Sequence, residues 1–168
     1  PTRIALASVD TFQIVGKLGY PIFISGATAL PQMQERLEIY RNARKEAGHS
    51  GPEGITLRVP AYVAETAAQA REEPEATTMH GLQYAARELS GTAATPEAAD
   101  RLRQMATVPY EEILQRRVMY GTPEAVTERL QEYQEELGIT GVVLEMNYGG
   151  QLPNDRLINS IRLLAEKV

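Results

Sequence analysis

The stretch from Thr2 to Ser25, TRIALASVDTFQIVGKLGYPIFIS, constrains the possible folds of this chain more than any other. A short apolar run over Arg3–Ala7 gives way to a small polar turn. An amphipathic pattern follows from Val9 to Lys17, and Gly-Tyr-Pro then leads into a second apolar run. Gly19 suits the left-handed position that closes a helix, and Pro21 forbids its continuation. Ile22, Phe23 and Ile24 are consecutive apolar residues, as expected of a strand buried on both faces in a parallel sheet. The whole is one strand–helix–strand unit. Its turn carries Ser8 and Thr11 where first-turn N–H groups lack partners and the helix dipole is positive, an arrangement suited to an anion.

The same order repeats along the chain. Pro31, at home in a first helical turn, opens a helix with Met33, Leu37, Tyr40 and Ala43 or Arg44 at helical spacing, stopped by Gly48. Ile55–Ala64 is expected as a third strand, in which Pro60 requires a bulge or an edge position. From Thr66 to Tyr120 the chain turns Ala-, Glu- and Arg-rich, and a mostly helical excursion with no strand is expected there. Thr122 as N-cap, Pro123 at the first helical position and Gly138 at the end define a further helix. TGVVLEMN is a fourth strand. A closing amphipathic helix aligns Leu157, Ile158, Ile161, Leu164 and Ala165. Repeated strand–helix units argue for an α/β fold with a parallel sheet and right-handed crossovers. Four such units are half of a (β/α)8 TIM barrel, which needs about 250 residues when whole.

Composition narrows the function classes. With 168 residues, 43% apolar and 23% charged, the expectation is one domain with a sizeable core. A net charge of −5 with scattered basic residues argues against a nucleic-acid partner. Cysteine is absent, which excludes disulfides and thiolate chemistry. No apolar run reaches the ~20 residues of a membrane span, so no membrane partner and a cytoplasmic location are expected. His49 and His80 are the sole histidines; His49 is expected to cap a helix end, and no ligand cluster for a metal is apparent. The chain opens at Pro1 inside an expected strand, so it is expected to be a fragment.

Three motifs in order carry a family resemblance: ASVDT followed by Gly19 and Pro21; YGTPEAV; and GITGVVLEMNYGGQLP, with AGHSGP between. Together they resemble the flavin-dependent luciferase-like monooxygenases, over essentially the whole of residues 1–168. The resemblance implies the C-terminal half of a TIM barrel with a helical insertion at about 66–120. It implies that Ser8 and Thr11, with the backbone at Ala7, hold the phosphate of FMN. Asn147 is implied as a further cofactor contact and Glu145 as a catalytic base or substrate-orienting carboxylate. Two departures stand out: Ala7 where the luciferase alpha subunit has Glu, and Gly26 where the family has a Trp near the flavin. They bear on ring packing more than on the phosphate. Part of the insertion, RLRQMATVPYEEILQRRVMYG, corresponds to the family's mobile lid, with Arg103, Tyr110, Arg116, Arg117 and Tyr120 as closing groups; a helical hairpin packed on the flank is the alternative.

The implied activity is oxygenation of a small organic molecule with reduced FMN and oxygen, the reduced flavin coming from a reductase partner. A deazaflavin coenzyme in the same fold is an alternative. A non-catalytic half-barrel that forms a homo-oligomer, or associates with the missing N-terminal half, is another.

Overall fold

A computed structural model describes residues 2–6, 8–26, 28–93 and 95–168. These form strands β1 (Ile4–Ala5), β2 (Ile22–Ser25), β3 (Ile55–Val63), β4 (Met119–Gly121) and β5 (Gly141–Glu145). The helices are α1 (Val9–Leu18), α2 (Leu30–Glu46), α3 (Ala67–Glu72), α4 (Glu75–Ser90), α5 (Pro96–Met105), α6 (Tyr110–Arg116), α7 (Pro123–Leu137) and α8 (Asn154–Lys167). Two compact units emerge, one comprising residues 1–59 and 128–144, the other residues 60–127 and 145–168.

In the first unit β1, β2 and the first half of β3 are parallel neighbours, with Ile4 beside Ile22 and Phe23 beside Thr56. β5 also pairs with β3, and Thr140 N donates to Ile55 O at 2.8 Å. One sheet face carries Leu6, Ile22, Ile24, Ile55, Leu57 and Val59, all buried. Phe12 and Val15 of α1 and Met33, Leu37 and Tyr40 of α2 are buried too and complete this core. The expectation that Ile22–Ile24 is buried on both faces does not hold: Phe23 is half-buried and Ser25 exposed, because helices cover only the opposite face. α1 and α2 approach closely at Gly16, where an added Cβ would lie 2.5 Å from Tyr40 O. Gly19 takes the left-handed conformation (φ 75°), and its N–H closes α1 onto Val15 O and Gly16 O.

Polar groups on α2 then gather the loops at the N-terminal ends of the strands. Arg44 is 5% exposed, and its guanidinium donates to Gly19 O at 2.7 Å and Gly51 O at 3.0 Å. The Tyr40 hydroxyl lies 2.9 Å from Tyr20 O and 3.0 Å from Glu53 O, one of which accepts its proton at a time. Arg41 pairs with Glu53 at 2.8 Å and donates to Leu137 O at 2.8 Å.

In the second unit the last residues of β3 pair in parallel with β4, Ala61 beside Met119 and Val63 beside Gly121. Pro60, which has no N–H to give a ladder, falls between the stretch paired to β2 and the stretch paired to β4. The strand β4 corrects the expectation that residues 66–120 hold no strand. Among the described residues four helices occupy that segment, two of them capped as their sequences require: Thr66 accepts from Gln69 N and Thr95 from Ala98 N. Thr122 accepts from Ala125 N at 3.4 Å at the start of α7. Ser160 of α8 is fully buried and receives the Val63 N–H at 2.7 Å.

Replacing Arg44 by Met should lower stability by about 3 kcal/mol, since buried carbonyl groups lose charge-assisted donors. Lys in its place should not restore it, because one ammonium cannot span both carbonyls as the fork does. Urea denaturation of the three proteins checks this.

Candidate functional site

The turn between β1 and α1 has an unusual economy of hydrogen bonds. Ser8 stands in the N-cap position with extended backbone (φ −101°, ψ 153°), yet its hydroxyl makes no capping bond. It points instead to Thr11 Oγ1 at 3.4 Å, a weak contact. Thr11 donates its own hydroxyl proton to Ser8 O at 2.6 Å. The first-turn donors of α1 are thus not consumed by a side-chain cap. Ser8, Val9 and Asp10 are all exposed. Asp10 lies in the first turn, so its carboxylate already complements the dipole and any bound anion shares it. Ala7, the remaining residue expected here, lies outside the described residues.

Glu145 and Asn147 sit at and just past the C-terminal end of β5. Glu145 is half-buried. Asn147 holds its own loop: Oδ1 accepts from Leu152 N at 3.2 Å and its carbonyl from Gly150 N at 3.0 Å. Gly149 and Gly150 take positive φ values of 86° and 75°. The loop is pinned by a residue the sequence did not single out. Thr77, buried on α4, donates to Tyr148 O at 2.9 Å and accepts from Gln151 N at 3.0 Å. A Cβ at Gly149 would fall 1.8 Å from Thr77 O, so glycine is obligatory there. The insertion therefore shapes the loop that carries Asn147. A Thr pair inside an Ala- and Glu-rich helix, a poor choice for helix propensity alone, was the available signal.

Tyr62, Tyr110 and Tyr120 form the polar lining of the second unit's core. The Tyr62 hydroxyl donates to Glu73, which also pairs with Arg156 at 3.9 Å. Tyr120 crosses Tyr62 edge-on and shares a 2.8 Å bond with Thr78. Tyr110 is 8% exposed and donates to Arg71 O at 2.6 Å. Tyr110 is thus core rather than a lid group, and Arg103 is taken up locally by Asp100 at 2.5 Å. Burial pushes all three phenols up. Tyr62 is raised further by Glu73, and Tyr120 by Tyr148 and Glu145, against a bond from Thr78 that lowers it.

His49 caps a helix end, though that of α1 rather than of α2, which it follows. Its Nε2–H donates to Lys17 O at 2.9 Å, and its ring lies over Gly19, where a Cβ would meet it at 2.6 Å. Among the described residues no group of three or more His, Cys, Asp or Glu is placed to hold a metal ion. Nor is any described helix long and apolar enough to cross a membrane.

Tyr40 is raised by burial as well. A phenol held above its ordinary value of 10.0 keeps its proton more firmly when folded. The stability this confers is full below pH 10.0 and is lost progressively as pH rises from there toward the raised values. Spectrophotometric titration should therefore show Tyr40, Tyr62, Tyr110 and Tyr120 ionising together with unfolding.

A sequence profile of luciferase-like monooxygenases matches residues 1–141. No curated protein sequence matches the chain. Solved structures do. Monooxygenase RslO1 from Streptomyces bottropensis is 22% identical with a TM-score of 0.67, over 98% of this chain and 46% of that one. The oxygenating constituent of 3,6-diketocamphane monooxygenase from Pseudomonas putida, solved with FMN, is 18% identical with a TM-score of 0.69, over 99% and 48%. The coenzyme F420-dependent tetrahydromethanopterin reductase of Methanopyrus kandleri is 14% identical with a TM-score of 0.68, over 100% and 50%. The chain spans about half the length of each, and its parallel α/β fold is part of their barrel. With the profile covering well over half its residues, this chain belongs to the luciferase-like monooxygenase family.

Proposed function

We propose that residues 1–168 act as the C-terminal half of a flavin-dependent monooxygenase, with residues 66–120 as its helical insertion and a small organic molecule as substrate. The observation that carries this reading is the uncapped start of α1, in a segment that the family profile covers. The residues present fit a phosphate. Ser8 spends its proton only on a weak contact, so its hydroxyl is the one that turns outward as a donor. Thr11 gives its proton to Ser8 O and holds the turn, while the first-turn N–H groups supply further donors. Bound reduced FMN supplies the electrons for oxygen activation, which no side chain of this chain can provide. Glu145, at the end of β5, orients the substrate or holds a proton. The FMN-bound structural neighbour supports FMN; the coenzyme F420-dependent one supports a deazaflavin as the alternative. A separate reductase delivers the reduced flavin.

Replacing Ser8 and Thr11 together by Ala in the full-length protein should weaken FMN binding at least about tenfold, the value of one charge-assisted hydrogen bond or more. Quenching of flavin fluorescence measures it, and unchanged affinity refutes the phosphate assignment.

A second reading, in which the chain is a non-catalytic half that associates with a further copy or with an N-terminal half, is supported by exposed apolar side chains. Val142 and Val143, consecutive on β5, are 39% and 43% exposed, and Ile14 and Leu18, one turn apart on α1, are 56% and 59% exposed. Light scattering should show the purified chain above 18.5 kDa; a single monomeric species contradicts association.

A further inference from the structure

Asn147 holds its loop with one side of its amide and offers the other. The Leu152 N–H, which can only donate, faces the Asn147 side-chain oxygen at 3.2 Å. The orientation of the amide is therefore fixed by its network: Oδ1 turns into the loop and Nδ2 turns away from it. The Asn147 carbonyl is engaged too, receiving the Gly150 N–H at 3.0 Å. Among the described residues nothing accepts from Nδ2, and Asn147 is exposed. The loop thus presents two side-chain N–H donors just past the C-terminal end of β5, the end where parallel barrels build their sites. Gly150 adds no cover, since a Cβ there would meet nothing within 4 Å.

Helix α4 keeps this arrangement in place. Thr77 is 4% exposed and uses its one hydroxyl twice, donating to Tyr148 O at 2.9 Å and accepting from Gln151 N at 3.0 Å. The two bonds bracket the turn that begins immediately after Asn147. The helix backbone closes on the same turn. A Cβ at Gly149 would collide with Thr77 O, and a Cβ at Gly81, one turn further along α4, would lie 2.8 Å from Gly149 Cα. Loop and helix therefore meet backbone to backbone. Thr78, fully buried, ties the same stretch of α4 to Tyr120 of β4 at 2.8 Å. Threonines are poor helix formers, so this buried pair costs helix propensity and gains a loop that cannot re-aim Asn147. Such preorganisation is what makes a single donor effective toward a ligand.

We propose that Thr77 is a positioning residue for the cofactor: it fixes the loop so that the Asn147 side-chain N–H2 donates to a carbonyl oxygen of the flavin ring. This rests on the flavin reading above and not on the phosphate position, because riboflavin carries the same ring carbonyls as FMN and no phosphate. A neutral amide donor suits a neutral carbonyl. Asp at position 147 would still accept from Leu152 N–H but has no proton to give at neutral pH. That substitution therefore separates holding the loop from holding the ligand.

The test measures binding of FMN and of riboflavin to the full-length protein by quenching of flavin fluorescence, with the visible absorption bands of the bound flavin as a second reading. Asn147→Asp should melt close to the wild type, lose at least about tenfold in affinity for both flavins and shift the bands of what still binds. Thr77→Val, of the same shape but without either bond, should weaken both flavins about three- to tenfold, and Thr77→Ser should restore them. The two substitutions combined, Thr77→Val with Asn147→Asp, should bind no more weakly than Asn147→Asp alone, because Thr77 acts through Asn147. A Thr77 that only stabilised the fold would lower the melting temperature and give no such coupling. The Ser8 and Thr11 variant, by contrast, should weaken FMN and leave riboflavin unchanged. Wild-type flavin affinity in Asn147→Asp or in a folded Thr77→Val, no rescue by Ser, or additive losses would overturn the inference and leave the flavin reading standing. A wild-type protein that binds neither flavin overturns both. Where Thr77→Val does not fold, Thr77→Cys, a weak donor in place of a strong one, should give a partial loss, and full affinity in it overturns the inference equally.

Discussion

Much of the first unit depends on one buried guanidinium. Arg44 has no carboxylate in its hydrogen-bonded shell; backbone carbonyls of Gly19 and Gly51 receive its protons, and the Tyr40 ring lies 5.6 Å from its charge. Burying a charge in this way is tolerated because every donated proton meets a carbonyl dipole. The consequence is geometric. Gly19 ends α1 just before β2, and Gly51 precedes β3, so one side chain sets the spacing of two strand starts. Arg41 extends the same tie to Leu137, ahead of β5. With their starts fixed from a single helix, β2, β3 and β5 have little freedom to slip in register, and a slip of one residue would turn the apolar face outward.

This anchoring divides the unit into two ends of different character. At the strand starts, Tyr40, Arg41 and Arg44 are spent on backbone carbonyls. At the strand ends the economy reverses. Ser8, past the end of β1, declines to cap its helix and stands exposed. A parallel sheet tolerates such uncommitted donors because its stability is secured at the other end.

Much of this organisation was legible in the sequence wherever a residue has only one good use. Gly19 before Pro21, Thr122 before Pro123 and Gly138 after α7 mark helix ends because few alternatives fit. Other features were hidden for physical reasons. β4 is three residues long, too short for a periodic signal, and it forms because the end of β3 beyond Pro60 has an open ladder to fill. Arg44 looked like one member of an amphipathic stripe, since only the folded loops reveal its carbonyl partners. Thr77 lies 70 positions and more from the loop it pins, and such long-range pairing leaves no local pattern. Tyr110 read as a closing group because its segment resembles the family's lid, whereas α6 turns it inward.

On the proposed reading, the ends of β1 and β2, rather than their starts, receive the ligand. Hydrogen exchange of the full-length protein with and without FMN tests this most directly. FMN should slow exchange at the amides of Ser8 to Phe12 and at Gly26, and leave Gly19, Tyr20, Gly51 and Glu53 unchanged. Protection confined to the strand starts, with none at Ser8 to Phe12, would contradict the account.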